Sequence, residues 1–175
     1  MKGHHLSIAS ILTFFIFIFF SYPVHAEPSI RMQVNSALMG LQPLETIRNV
    51  SRLPKSKLKS EGISVEMNNE NGYDEVIRLK FDPSLNLHGF SSPEIVLSFE
   101  TPYKDFHALV YGVFVGDVDS FIKELNLKNG DPENTTAIGK YNRPLRDTKD
   151  CPITLGASPI DKDHFVFGPG WCNGD

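Results

Sequence analysis

The stretch Ala108-Leu109-Val110-Tyr111-Gly112-Val113-Phe114-Val115 is a nearly continuous apolar run, followed at once by Gly116-Asp117 and then by Val118, Phe121, Ile122 and Leu125. An apolar run of this length bounded by a turn signal reads as a strand in the middle of a sheet, covered on both faces. Asp117 offers a side-chain oxygen to the first helical N–H groups, and the i, i+3, i+4, i+7 spacing after it builds an apolar stripe. The unit predicts a central strand feeding one main helix over about 117–127, packed on the sheet and ended by Asn129-Gly130-Asp131-Pro132. Such a unit is a general way to lay a helix on a sheet and points to no family.

Upstream, Ile63-Ser64-Val65-Glu66-Met67 alternates strictly, and 68–72 is rich in turn formers. Tyr73 to Phe81 alternates again, so the two runs predict a β-hairpin. Asp82-Pro83 is expected to stop the second strand. Residues 83–93 read as a polar Gly- and Pro-containing loop, and Glu94 to Glu100 as the next strand, with Ile95, Leu97 and Phe99 on one side. Downstream, short extended pieces are expected at 137–141, 151–157 and 164–167, the last two forming a terminal hairpin.

Between Glu27 and Leu53, Met32, Leu38, Met39, Leu41, Leu44, Ile47, Val50 and Leu53 recur every three or four residues, which predicts two short N-terminal helices broken near Pro43. Arg48 to Lys59 carries five positive charges and no acid. It reads first as a solvated connector and second as a surface for an anionic membrane or an acidic partner. The expected fold class is α+β: a single domain, an antiparallel or mixed sheet of five to seven strands, one main packed helix and short N-terminal helices.

The first 26 residues set an expected address. Lys2, His4 and His5 precede the uncharged run Leu6–Phe20, and Val24-His25-Ala26 closes the segment. This is the layout of a secretory signal peptide cut after Ala26, leaving 27–175 as one exported domain. A retained anchor is the rival, but a run of this length is short of the ~20 residues a bilayer core needs. Of the 175 residues, 149 would remain, with sixteen Lys and Arg against twenty-one Asp and Glu, a net charge of −5. That balance argues against a nucleic-acid partner. No later stretch is apolar enough to span a membrane, and the expected location is periplasmic or secreted.

Both cysteines, Cys151 and Cys172, lie in the exported part, and an even count there reads as a disulfide closing a loop of about 20 residues, worth ~3 kcal/mol in the chain-entropy model. A catalytic or metal-binding thiolate is the weaker alternative, because it needs a free thiol. No serine-hydrolase elbow, phosphate loop, dinucleotide fingerprint or H-E-x-x-H pattern occurs, and no cofactor is implied. Asp161, Asp163 and His164 form the best metal candidate, three potential ligands in a turn, though two carboxylates at a turn are common for solubility alone. The C-terminal Phe165-Val166-Phe167-Gly168-Pro169-Gly170-Trp171-Cys172 offers a rigid aromatic anchor in Trp171 with Phe167 beside it, against a bland reading in which Trp171 closes the core. The loop carrying Leu85, Leu87, His88 and Phe90 is the second binding candidate.

Two functions follow. The favoured one is a small exported binding protein, an inhibitor or immunity protein occluding an envelope-acting enzyme, with a protein partner and a surface built from Trp171, Phe167, Phe90 and His88. The alternative is a small hydrolytic or metal-dependent enzyme using His107, His164 and nearby carboxylates.

Overall fold

The computed structural model describes residues 28–68, 75–100, 107–130, 139–145 and 153–172. The chain order is α1 (Ile30–Leu38), α2 (Pro43–Ser51), α3 (Lys55–Ser60), β1 (Ile63–Asn68), β2 (Glu75–Leu87), β3 (Phe90–Glu100), β4 (His107–Val115), α4 (Val118–Glu124), β5 (Lys128–Asn129), β6 (Tyr141–Pro144), β7 (Thr154–Pro159) and β8 (His164–Cys172). The strands form one eight-stranded sheet in the order β1-β2-β3-β4-β8-β7-β6-β5, antiparallel at every pairing. The expected five to seven strands with one dominant helix is therefore corrected: the molecule is mostly sheet, and α4, with seven residues, is shorter than α1 and α2.

Two meanders meet at β4 and β8. On β4, Ala108, Val110, Gly112 and Phe114 point to the inner face, opposite Phe165, Phe167 and Trp171 on β8. Ile77 and Leu79 of β2 and Ile95 and Leu97 of β3 extend the same apolar surface, all buried. Helices α1, α2 and α4 lie on that side. The alternate residues Val113 and Val115 are 40 % and 47 % exposed, so the other face of β4 is open to solvent and the expectation of a strand covered on both sides fails there.

The helix layer follows from local chemistry. Ile30, Val34, Ala37 and Leu38 recur along one side of α1 and are buried, and the Ser29 side chain accepts from the Met32 N–H at the helix start. α2 begins with Pro43 at a position where a missing N–H costs nothing, and buries Ile47 and Val50. The basic segment is not a connector: its first residues complete α2 and Lys55–Ser60 forms α3, anchored by buried Leu58. On α4, Asp117 accepts from the Asp119 and Ser120 N–H groups and from the Ser120 hydroxyl, and its carboxyl is held below its ordinary value, first by the Ser120 hydroxyl and then by the two amides.

The expected stop at Asp82-Pro83 is also corrected. β2 runs through this cis peptide to Leu87, and the supposed loop is the far half of a long β2–β3 hairpin. The proline is accommodated because β1 starts opposite Phe81, so no strand beyond that point asks for its N–H, and because the β2–β3 register shifts between Lys80 and Leu85. His88 and Gly89 then turn the chain with φ of 53° and 87°, the two left-handed residues of a tight hairpin turn.

Candidate functional site

Trp171 is set by register. Its partner is Ala108, so the indole points to the inner face, where it is 9 % exposed. α2 contributes the facing wall, and a gap remains between it and the ring. The result is a cavity of about 330 Å³ lined by Pro43, Leu44, Arg48, Arg52, Ile153 and Trp171, with Glu45, Gln42 and Asn49 also at its wall. That volume suits one large side chain or a small organic molecule.

The charges at its wall have different employment. Arg48 is engaged: its Nε donates to Glu75 Oε2 at 2.7 Å, its Nη2 makes a second contact to the same oxygen, and its guanidinium lies 4.8 Å from the Phe99 ring centroid. Two interactions fix that guanidinium in place. Arg52 is exposed at the end of α2, with no ion-pair partner among the described residues. The site thus joins an apolar floor to one fixed and one available cation, with Glu45 as the acid at its wall.

The other predicted binding residues lie elsewhere. Phe167 is fully buried, 4.7 Å from Phe121 between ring centroids. Phe90 is half-buried and packs edge-on against Phe121 at 5.0 Å and Phe165 at 5.5 Å. His88 sits at the hairpin tip with its Nδ1 2.7 Å from Glu124 Oε1, tying the tip to the end of α4. Along β4, Trp171 is opposite Ala108 while the start of β3 is opposite Val115, so Trp171 and the Phe90 region are about 23 Å apart at ~3.3 Å per residue. They do not form one surface. Sequence reasoning noticed Arg48 and Arg52 only as part of the basic segment 48–59 and missed their link to Trp171, which spans more than a hundred residues and leaves no local pattern.

The metal candidate is a self-satisfied turn. His164 Nδ1 lies 2.9 and 3.0 Å from the two oxygens of Asp161, and the Asp163 N–H donates to Asp161 Oδ1 at 2.8 Å. These contacts, the Asp163 amide foremost, hold the Asp161 carboxyl below its ordinary range. Among the described residues no group of three His, Cys, Asp or Glu side chains is placed to hold a metal.

Nor do the two histidines of the enzyme alternative converge. His107 opens β4 opposite Cys172, whereas His164 faces Val115 at its other end, about 26 Å away along the strand. Cys151 lies outside the described residues. No described helix is long and apolar enough to cross a membrane. Searches with family models, among curated proteins and among solved structures find nothing that matches this chain.

Proposed function

We propose that the protein is a binding module, exported by its N-terminal segment, that occludes a protein partner by accepting one of the partner's large apolar side chains in the cavity beneath α2. The observation that carries this reading is the pairing of a rigidly held indole with a nearby exposed guanidinium that has no ion-pair partner among the described residues, Trp171 with Arg52, around about 330 Å³ of apolar-floored space. A side chain fixed by strand register loses little rotamer freedom on binding, so its contact energy is not spent on ordering. Arg52 adds a charged contact that favours a partner with an acid beside its apolar anchor. An inhibitor or immunity protein against an envelope-acting enzyme is the function class in which such a module fits an exported, acidic chain.

The test is affinity capture from the native envelope with the tagged mature protein, run in parallel with Arg52→Glu and Leu44→Asp. One protein recovered stoichiometrically by the wild type and lost with both variants is the expected result. The same recovery with all three proteins, or no protein recovered at all, refutes the assignment of this cavity.

A further inference from the structure

A second cavity lies on the other flank of the helix layer, between α3 and the edge strand β1. It measures about 540 Å³, and its walls are Leu53, Leu58, Ile63, Val65 and Met67, with Lys55, Lys59, Ser51 and Ser64 at the margin. The strand contributes its inner-face residues in alternation, and burial falls along them: Ile63 is buried, Val65 is half-buried and Met67 is 53 % exposed. The helices therefore cover the start of β1 and leave its end open, which makes a slot between the two layers rather than a closed void. No acid lines it. Glu66, the nearest on β1, points to the opposite face and accepts from Lys80 Nζ at 2.5 Å. Lys55 and Lys59 are exposed and have no ion-pair partner among the described residues.

We propose that this slot binds the acyl chain of a free fatty acid, with the carboxylate held by Lys55 and Lys59. Five apolar walls and two cations, with no acid among the described lining residues, complement an apolar tail with an anionic head. Counting a methylene at about the ~30 Å³ share of a water molecule, the slot holds a chain on the order of a dozen carbons with space left over. The lysine stems can lie along the apolar wall while their ammonium groups stay at the mouth, where the carboxylate remains in contact with water. The site shares no lining residue with the Trp171 cavity.

The experiment is calorimetric titration of the intact protein with laurate below its micelle concentration, repeated with dodecyltrimethylammonium, which has the same tail and the opposite head. Laurate is expected to bind one per chain and the cationic analogue at least tenfold more weakly, on the order of one lost charged contact. The double variant Lys55→Glu/Lys59→Glu should lose laurate by a similar factor. Met67→Glu, at an exposed position, should lose it through the tail, whereas Glu124→Gln, at the end of α4 and outside the slot's lining, should bind laurate like the wild type. Equal binding of both head groups, laurate binding unchanged in the lysine or Met67 variants, or no laurate binding overturns the proposal. Binding of an acidic extended peptide along β1 without laurate binding overturns it too, and makes the edge a peptide site.

Discussion

At the centre of the sheet Gly168 passes so close to Val110 that a Cβ built on the glycine would lie 1.9 Å from the Val110 carbonyl oxygen and 2.8 Å from the Tyr111 Cα. The two backbones touch where the meanders join, and neither neighbour is a flexible side chain that could move aside. Gly168→Ala is expected to lower the unfolding free energy by about 3 kcal/mol. Gly89→Ala is the control: its φ of +87° disfavours a side chain, but nothing lies within 4 Å, so a loss of about 1 kcal/mol is expected. Denaturant midpoints of the two variants check the order, and an equal loss would refute the account of the β4–β8 contact.

Phe121 is the one fully buried side chain of α4, with Val118 and Ile122 packed partly against the same core. The Phe121 ring meets Phe165 at 4.8 Å, Phe167 at 4.7 Å, Phe90 at 5.0 Å and Phe114 at 6.3 Å. Phe121→Ala is expected to cost about 3–5 kcal/mol, and Phe121→Leu much less because more of the volume is kept. Chemical denaturation measures both. A loss under 1 kcal/mol for the alanine would mean that α4 is not anchored through this ring.

Asp117 and Asp161 give the pH dependence a sign. Both carboxyls are depressed in the folded protein, Asp117 mainly by Ser120 and Asp161 mainly by the Asp163 amide, from an ordinary value of 3.8. A depressed carboxyl stabilises the fold above its unfolded value, and that contribution disappears as pH falls through the lower folded value. Asp117→Ala should therefore melt below the wild type at pH 7, and the gap in Tm should narrow below about pH 4. A gap that stays constant down to pH 2 would place the effect in something other than the charged cap.

The pairing of Cys151 with Cys172 is open to a direct measurement. Protein recovered from its native compartment is expected to show no free thiol on denaturation, and reduction should lower stability by about 3 kcal/mol for a closed loop of about 20 residues. Two titratable thiols in that material would return the reactive-cysteine reading to consideration.

The strands that face the core on one side were readable. Ile77, Leu79 and Phe81 alternate with Arg78 and Lys80, and a period of two is what a half-buried strand imposes. The same alternation continues through Leu85 and Leu87, but Pro83 masks it. Its tolerance depends on where β1 begins and where the register shifts, which are facts of pairing, not of local sequence. The turn hid for a related reason, since His88-Gly89 takes a conformation usually announced by Asn-Gly. α3 hid because a lysine-rich hexamer with one buried leucine carries almost no periodic signal. Trp171 drew notice as the sole tryptophan, yet its place in one cavity wall with Arg48 and Arg52 depends on where α2 packs, which no local pattern records.

The position of β8 has a consequence for how the molecule is made. It follows every other strand in chain order, yet it stands in the middle of the sheet between β4 and β7. While the polypeptide is being synthesised, β1–β4 and β5–β7 have nothing to join them, and the apolar side of β4 lacks a neighbour until residues 164–172 have emerged. Long-range pairing of this kind is slow and leaves sticky surface uncovered in the meantime. A nascent chain of this design stays open until β8 is out, and loss of β8 would cost the whole sheet rather than one border of it.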